Sequence, residues 1–101
     1  MKKINNHNEL PTLKVLGVDS SRTKALKQNL HEALEQLHLE VILEEVRDVE
    51  QLMKYDISGI PALVMNEEVI LQKEVPTVET LKEILISFFS RHNSFYKPED
   101  L

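Results

Sequence analysis

The stretch that constrains the fold most is Tyr55-Asp56-Ile57-Ser58-Gly59-Ile60-Pro61-Ala62-Leu63-Val64. A glycine, an aliphatic residue and a proline come directly before the apolar run Ala62–Met65, which predicts a short strand. The segment Ile57–Pro61 interrupts the helical pattern before it, because glycine and proline are the strongest local breakers of regular structure. We therefore expect a loop that ends at Pro61 and a strand that begins immediately after it.

Two further elements are predicted downstream of this stretch. Val69–Lys73 is a second apolar run, and Asn66-Glu67-Glu68 joins it to the first as a hairpin whose turn lacks the usual glycine. A glutamate at positive φ is unfavourable, so we expect a turn type other than that of an Asn-Gly hairpin. A final helix is predicted from Thr77 by apolar residues at helical spacing, namely Val78, Leu81, Ile84, Leu85 and Phe88.

Upstream, the pattern predicts a strand, a helix, a second strand and a short second helix. Leu13–Val18 is a short apolar run typical of a buried strand, and Leu39–Val46 is the second. Asp48 is a plausible N-cap for a helix over Val49–Tyr55. The first helix is predicted by apolar residues at steps of three and four: Leu26, Leu30, Ala33, Leu34 and Leu37. The predicted order is βαβαββα.

This order, with a proline directly before the third strand, resembles the thioredoxin fold. The sequence most resembles small bacterial and archaeal thioredoxin-like proteins called small redox-active disulfide proteins. The similar segments are Lys14–Gly17, Tyr55–Val64 and Glu74–Glu79. The resemblance implies an α/β fold with a mixed four-stranded sheet flanked by three helices. It also implies a cis peptide bond at Ile60-Pro61, beside the position of the family's active site.

The chain departs from this family at the redox centre. The family's Cys-x-x-Cys motif falls by position on Ser20-Ser21-Arg22-Thr23, and the chain has no cysteine. Disulfide exchange requires a thiolate that attacks sulfur, and a helix N-terminus does not give a serine hydroxyl comparable reactivity. Thiol–disulfide oxidoreductase activity is therefore excluded, no cofactor is expected, and we do not expect an enzyme.

Two segments are the candidate binding site. They are Ser20, Ser21, Arg22 and Thr23 at the start of the first helix, and Gly59, Ile60 and Pro61 before the third strand. The hydroxyl residues either cap the helix or help its N-terminus hold an anion. In the thioredoxin fold, the residue before the cis-proline offers its main chain to an extended peptide, although Pro61 also has a purely structural interpretation. The leading hypothesis is a protein- or peptide-binding adaptor; the alternative is a small-anion or small-ligand binding protein, or an enzyme, that uses the helix start.

Composition removes several other function classes. A net charge of −5 and a pI near 5.3 disfavour nucleic acid as a partner. No segment approaches the roughly 20 apolar residues of a membrane span, and residues 1–11 lack the apolar stretch of a signal peptide. With no disulfide framework, a cytoplasmic location is expected. His31 and His38 are about two helical turns apart, so no metal site is predicted.

The predicted domain covers residues 12–91, between a flexible N-terminal tail at 1–11 and a C-terminal tail at 92–101. Aromatic residues concentrate near the carboxyl end of the chain. Phe89, Phe95 and Tyr96 either pack over their own domain or make a homodimer contact. Homodimerisation is therefore a hypothesis at this stage.

Overall fold

Seven elements follow one another along residues 10–91, the part of the chain that this computed structural model describes. They are β1 (Thr12–Leu16), α1 (Ser21–Leu37), β2 (Ile42–Val46), α2 (Val49–Leu52), β3 (Ala62–Met65), β4 (Glu68–Gln72) and α3 (Val78–Arg91). This is the βαβαββα order that the apolar periodicity predicts. The boundaries of the two tails are not tested by these residues.

The four strands form one mixed sheet in the order β2-β1-β3-β4. β1 and β2 are parallel, as their connection through α1 requires, whereas β1 with β3 and β3 with β4 are antiparallel. The predicted α/β class, with a mixed four-stranded sheet and three helices, is thus confirmed.

The larger part of the core lies between the sheet and the two long helices. Leu13 and Val15 of β1 pack there against Leu26 and Leu30 of α1 and against Phe88 of α3. The opposite face of the sheet carries a smaller cluster beside α2, formed by Leu16, Leu52, Ala62 and Val64. Residues that alternate along β1 therefore enter different clusters, as the alternation of side chains along a strand dictates.

β2 begins later than the apolar pattern predicts. His38 follows α1 in the left-handed region at φ 56°, and the Leu39 N–H then donates to the Leu34 carbonyl oxygen at 3.1 Å. This closure of the helix end makes residues 39–41 a connection, and pairing with β1 starts at Ile42. α2 is likewise shorter than predicted, since it ends at Leu52.

The hairpin between β3 and β4 corrects the expectation about its turn. The loop is two residues long, and both Asn66 (φ 49°) and Glu67 (φ 70°) have positive φ, as in an Asn-Gly type I′ turn. Two-residue hairpins favour this geometry because its twist matches that of the strands. Asn66 is held by Thr12, whose N–H donates to Oδ1 at 2.9 Å, and the Glu67 carboxylate lies 3.2 Å from Lys14 Nζ.

Of the three aromatic residues considered for dimer contact, only Phe89 lies within the described residues. It is 1% exposed and packs edge-on against Phe88, with 5.8 Å between ring centroids. Phe89 is thus a core residue and does not offer a surface to a second copy. Phe95 and Tyr96 lie outside the described residues, so homodimerisation stays a prediction. Among residues 10–91, no helix has the length and apolar character needed to cross a bilayer.

Candidate functional site

The start of α1 is closed by its own hydroxyl groups. Ser20 is the N-cap, and its Oγ accepts a hydrogen bond from the Thr23 N–H at 3.2 Å while donating to Thr23 Oγ1 at 3.1 Å. Thr23 is 4% exposed and lies against Gly17, where a Cβ would stand 2.6 Å from Thr23 Oγ1. Capping, one of the two alternatives for these hydroxyls, is therefore what the structure shows.

Arg22 does not project freely from the helix start. Its Nη2 donates to the main-chain carbonyl oxygen of Lys73 at 3.0 Å, which joins the first turn of α1 to the end of β4. Ser21, the first residue of α1, is exposed. The four residues at the Cys-x-x-Cys position thus have three roles. Ser20 and Thr23 form the helix cap, Ser21 is an exposed hydroxyl, and Arg22 makes a hydrogen bond to a residue distant in the sequence.

The second predicted segment is the loop that precedes β3. The Ile60-Pro61 peptide bond is cis, Pro61 is buried, and its carbonyl oxygen accepts from the Lys73 N–H at 2.7 Å. The Ser58 N–H donates to Gln72 Oε1 at 2.7 Å. Two hydrogen bonds to the end of β4 therefore hold this loop in place.

Lys73 connects the two predicted segments. It has a left-handed conformation at φ 65°, and its side-chain stem crosses Gly59 so closely that a Cβ there would stand 2.5 Å from Lys73 Cγ. Lys73 thus touches Arg22 through its carbonyl, Pro61 through its N–H and Gly59 through its side chain. Sequence reasoning missed it, because a lysine at the end of an apolar run carries no signal for this role.

Ile60, like Gly59 before it, makes no main-chain hydrogen bond within residues 10–91. It is partly exposed, and within residues 10–91 neither its N–H nor its carbonyl oxygen has a hydrogen-bond partner. An exposed segment with a free donor and a free acceptor matches what an extended peptide needs for main-chain pairing. The loop therefore has the chemistry of a short strand edge.

A separate polar network lies on the α2 side of the sheet. Lys14 Nζ donates to Tyr55 Oη at 3.0 Å and to Glu67 Oε2 at 3.2 Å, with the lysine side chain 19% exposed. The hydrogen bond that Lys14 donates to Tyr55, followed by the one it donates to Glu67, raises the pKa of Lys14 above its ordinary value, against the opposing effect of burial. Lys14 is thus held in its charged form and is unsuited to act as a nucleophile.

His31 and His38, the histidines within the described residues, do not form a cluster. His31 Nε2 lies 3.5 Å from Glu35 on the exposed face of α1, whereas His38 lies beyond the end of that helix. Within residues 10–91, no three His, Cys, Asp or Glu side chains lie close enough together to hold a metal ion.

Comparison with known proteins gives one consistent result. The thioredoxin domain family matches residues 12–86 of this chain. A protein named thioredoxin from Methanothermobacter thermautotrophicus is 22% identical over 73 residues, which cover 72% of this chain and 95% of the relative. The solved structure of a malarial protein superimposes with a TM-score of 0.59 at 9% identity, covering 83% of this chain and 98% of that one. Structural likeness at this identity concerns the fold alone.

Proposed function

This chain belongs to the thioredoxin domain family and contains no cysteine, and from that premise we propose that it is a redox-inactive module that binds an extended peptide of a partner protein. The proposed contact surface, here called the proline face, consists of Ser20–Thr23, Gly59–Pro61 and Lys73. Strand-like peptide binding uses main-chain hydrogen bonds and needs no thiol. The module would thus keep the recognition part of the fold without its redox chemistry.

The observation that carries this proposal is the main chain of Ile60. Its N–H and carbonyl oxygen lack partners within residues 10–91, while Ser58 and Pro61, which flank the Gly59-Ile60 pair, are fixed by bonds to Gln72 and Lys73. A donor and an acceptor that are already held in place lose little conformational entropy when a peptide pairs with them. The side chain of Ile60 would then contact the peptide's apolar groups.

The charge of the proline face favours a particular partner. Lys73 is exposed and makes no ion pair with an acidic side chain among residues 10–91. Its ammonium group and the Arg22 guanidinium both belong to this surface, although the protein as a whole has a net charge of −5. A peptide with an acidic residue beside its apolar contact would complement this local positive charge.

The alternative function, binding of a small anion at the start of α1, has less support. The Thr23 N–H already donates a hydrogen bond to Ser20 Oγ, and the Arg22 guanidinium already donates one to the Lys73 carbonyl oxygen. Both groups therefore already have hydrogen-bond partners within the chain. An N-terminus without such groups offers only its dipole and its remaining N–H donors.

A peptide selection followed by NMR tests the two functions together. Random peptides displayed on phage would be selected on the wild-type protein alone. The selected peptide should shift the amide signals of Ile60 and Ala62. Inorganic phosphate at millimolar concentration should leave Ser21 to Lys24 unshifted.

Met53→Arg is the matched control, because Met53 is 77% exposed and the change adds the same charge at a residue that is not part of the proline face. We expect it to retain the peptide, while Ile60→Arg loses at least about tenfold in affinity, or roughly 1.4 kcal/mol. Circular dichroism and urea unfolding would confirm that both variants fold. Equal binding by both variants would refute the proline face as the binding surface, and phosphate shifts at Ser21 to Lys24 would favour the alternative.

A further inference from the structure

The outer edge of β2 has no partner strand within residues 10–91. β2 is also the most exposed strand of the sheet, with Ile42 45% and Leu43 46% exposed. Such an edge presents main-chain donors and acceptors that another strand is able to use. It is separate from the proline face, which lies at the entry to β3.

The hydrogen bonds to β1 identify which main-chain groups of β2 are free. The Ile42 N–H donates to the Pro11 carbonyl at 2.8 Å, and the Val46 carbonyl accepts from the Gly17 N–H at 3.0 Å. Direction alternates along a strand, so Ile42, Glu44 and Val46 bond to β1. The N–H and carbonyl groups of Leu43 and Glu45 therefore point away from the sheet.

The side of this edge that faces α1 carries two open grooves lined by both aliphatic and polar residues. An open groove of about 580 Å³ is lined by Leu34, Leu39 and Leu43, and a second of about 460 Å³ continues from Leu43 and His31 towards Lys27. Aliphatic side chains from an added strand would enter these grooves on the same side as Leu43. Removing such groups from water contributes roughly 25 cal/mol per Å² of apolar area buried.

The other side of the edge carries an uncompensated negative charge. Glu44 is exposed between Ile42 and Val46 and makes no ion pair or side-chain hydrogen bond with another residue in 10–91. Its neighbour in β1, Lys14, is directed to Tyr55 and Glu67 instead. A cation on an added strand would compensate Glu44, and its methylene stem would cover the adjacent aliphatic groups.

We propose that β2 receives an extended peptide of another protein as a fifth strand of the sheet. The peptide alternates aliphatic residues, which enter the grooves beside α1, with lysine or arginine residues, which face Glu44. A second copy of this chain fits less well. If two copies paired antiparallel through all five residues of β2, Glu44 of one copy would lie opposite Glu44 of the other. Like charges directly opposite each other destabilise a sheet.

The direct readout is hydrogen exchange at the outward N–H groups of Leu43 and Glu45 in the full-length chain. The probe is a blocked six-residue peptide of alternating Val and Lys, and its control replaces each Lys with Glu. At saturating Val-Lys peptide, exchange at both N–H groups should slow by at least about tenfold, because they become hydrogen-bonded. The Val-Glu peptide should leave both rates unchanged.

Two pairs of variants separate main-chain pairing from charge. Leu43→Pro removes an outward donor without removing a bond to β1, and should abolish the slowing at the remaining Glu45 N–H, whereas Leu43→Val should retain it. Glu44→Lys should weaken Val-Lys binding by at least about tenfold. Glu83→Lys, the same charge change at an exposed position of α3, should leave binding unchanged.

Three results would overturn the proposal. Slow exchange that depends on protein concentration without peptide would identify a second copy as the occupant. Slow exchange in dilute protein without peptide would mean that the chain covers its own edge. Fast exchange with either peptide, or equal slowing by both, would show that the edge does not recognise a basic strand.

Discussion

Arg22, in the first turn of α1, donates a hydrogen bond from Nη2 to the main-chain carbonyl oxygen of Lys73, 3.0 Å away. The N–H of the same lysine donates to the Pro61 carbonyl oxygen at 2.7 Å. One residue at the end of β4 thus fixes both the helix start and the loop before β3. In this chain, a hydrogen-bonded lysine main chain connects the two segments of the proline face.

Replacement of Arg22 by alanine tests this connection. We expect Arg22→Ala to lower the free energy of unfolding by about 0.5–1 kcal/mol, because the lost hydrogen bond is exposed. It should also shift the Glu74 amide signal, since the Glu74 N–H shares a peptide group with the Lys73 carbonyl. Lys24→Ala, a neighbouring change at an exposed residue, should do neither. Unchanged stability together with an unshifted Glu74 signal would contradict the connection.

Gly17 is predicted to resist substitution for a steric reason. Its φ is not positive, but a Cβ would stand 2.6 Å from Oγ1 and 3.2 Å from Cγ2 of the buried Thr23. Gly17→Ala should therefore reduce the free energy of unfolding by about 1–3 kcal/mol in urea denaturation.

The double variant with Thr23→Ala provides the control for Gly17. Thr23→Ala removes Oγ1 and Cγ2, the two atoms nearest the added Cβ, but keeps the main-chain N–H that donates to Ser20 Oγ. Adding Gly17→Ala to this variant should cost clearly less than adding it to the wild type. Costs that simply add would show that the contact with Thr23 is not the cause.

Much of the fold was predictable because its signals are local. Leu26 and Leu30 recur at helical spacing and are fully buried, and Ser20 is a cap residue at the predicted helix start. The exposure of Ile42 and Leu43 was not predictable in this way. It depends on β2 being an edge strand of the sheet, which no short stretch of sequence encodes.

The candidate site was predictable only in part, for a related reason. The sequence indicated Arg22 and Pro61, but the residue that joins them, Lys73, lies 51 positions from Arg22. Its left-handed conformation is also unexpected for a lysine, so no turn motif marks it. Contacts distant in the sequence between polar main-chain groups leave no periodic pattern.

The hairpin turn predicts that glycine at position 67 gives a more stable protein than alanine does. Glu67 has φ 70°, and a residue with a Cβ is disfavoured there. Glu67→Gly and Glu67→Ala both remove the carboxylate that pairs with Lys14, so their difference isolates the backbone. We expect the glycine variant to be more stable by about 1 kcal/mol in urea unfolding. A more stable alanine variant would contradict the positive φ.

The network around Lys14 predicts how stability responds to alkaline pH. Hydrogen bonds donated by Lys14 to Tyr55 and Glu67 raise its pKa in the folded protein above the ordinary value of 10.5. The folded state then holds the proton more tightly than the unfolded state, so this stabilisation is complete below about pH 10.5. It is lost as the pH rises through the folded pKa.

Lys14→Met keeps the apolar stem and removes the charge, and it provides the comparison. The difference in unfolding free energy between wild type and Lys14→Met should be constant from pH 7 to 10 and should narrow above that. In the Tyr55→Phe background the narrowing should start at the same pH but be smaller and end at lower pH, because the largest contribution to the raised pKa of folded Lys14 is gone. Lys24→Met, the same replacement at an exposed position, measures in the same pH series any change that loss of a lysine charge causes without the Lys14 network. A difference that widens at high pH would mean that Lys14 is stabilised in its neutral form.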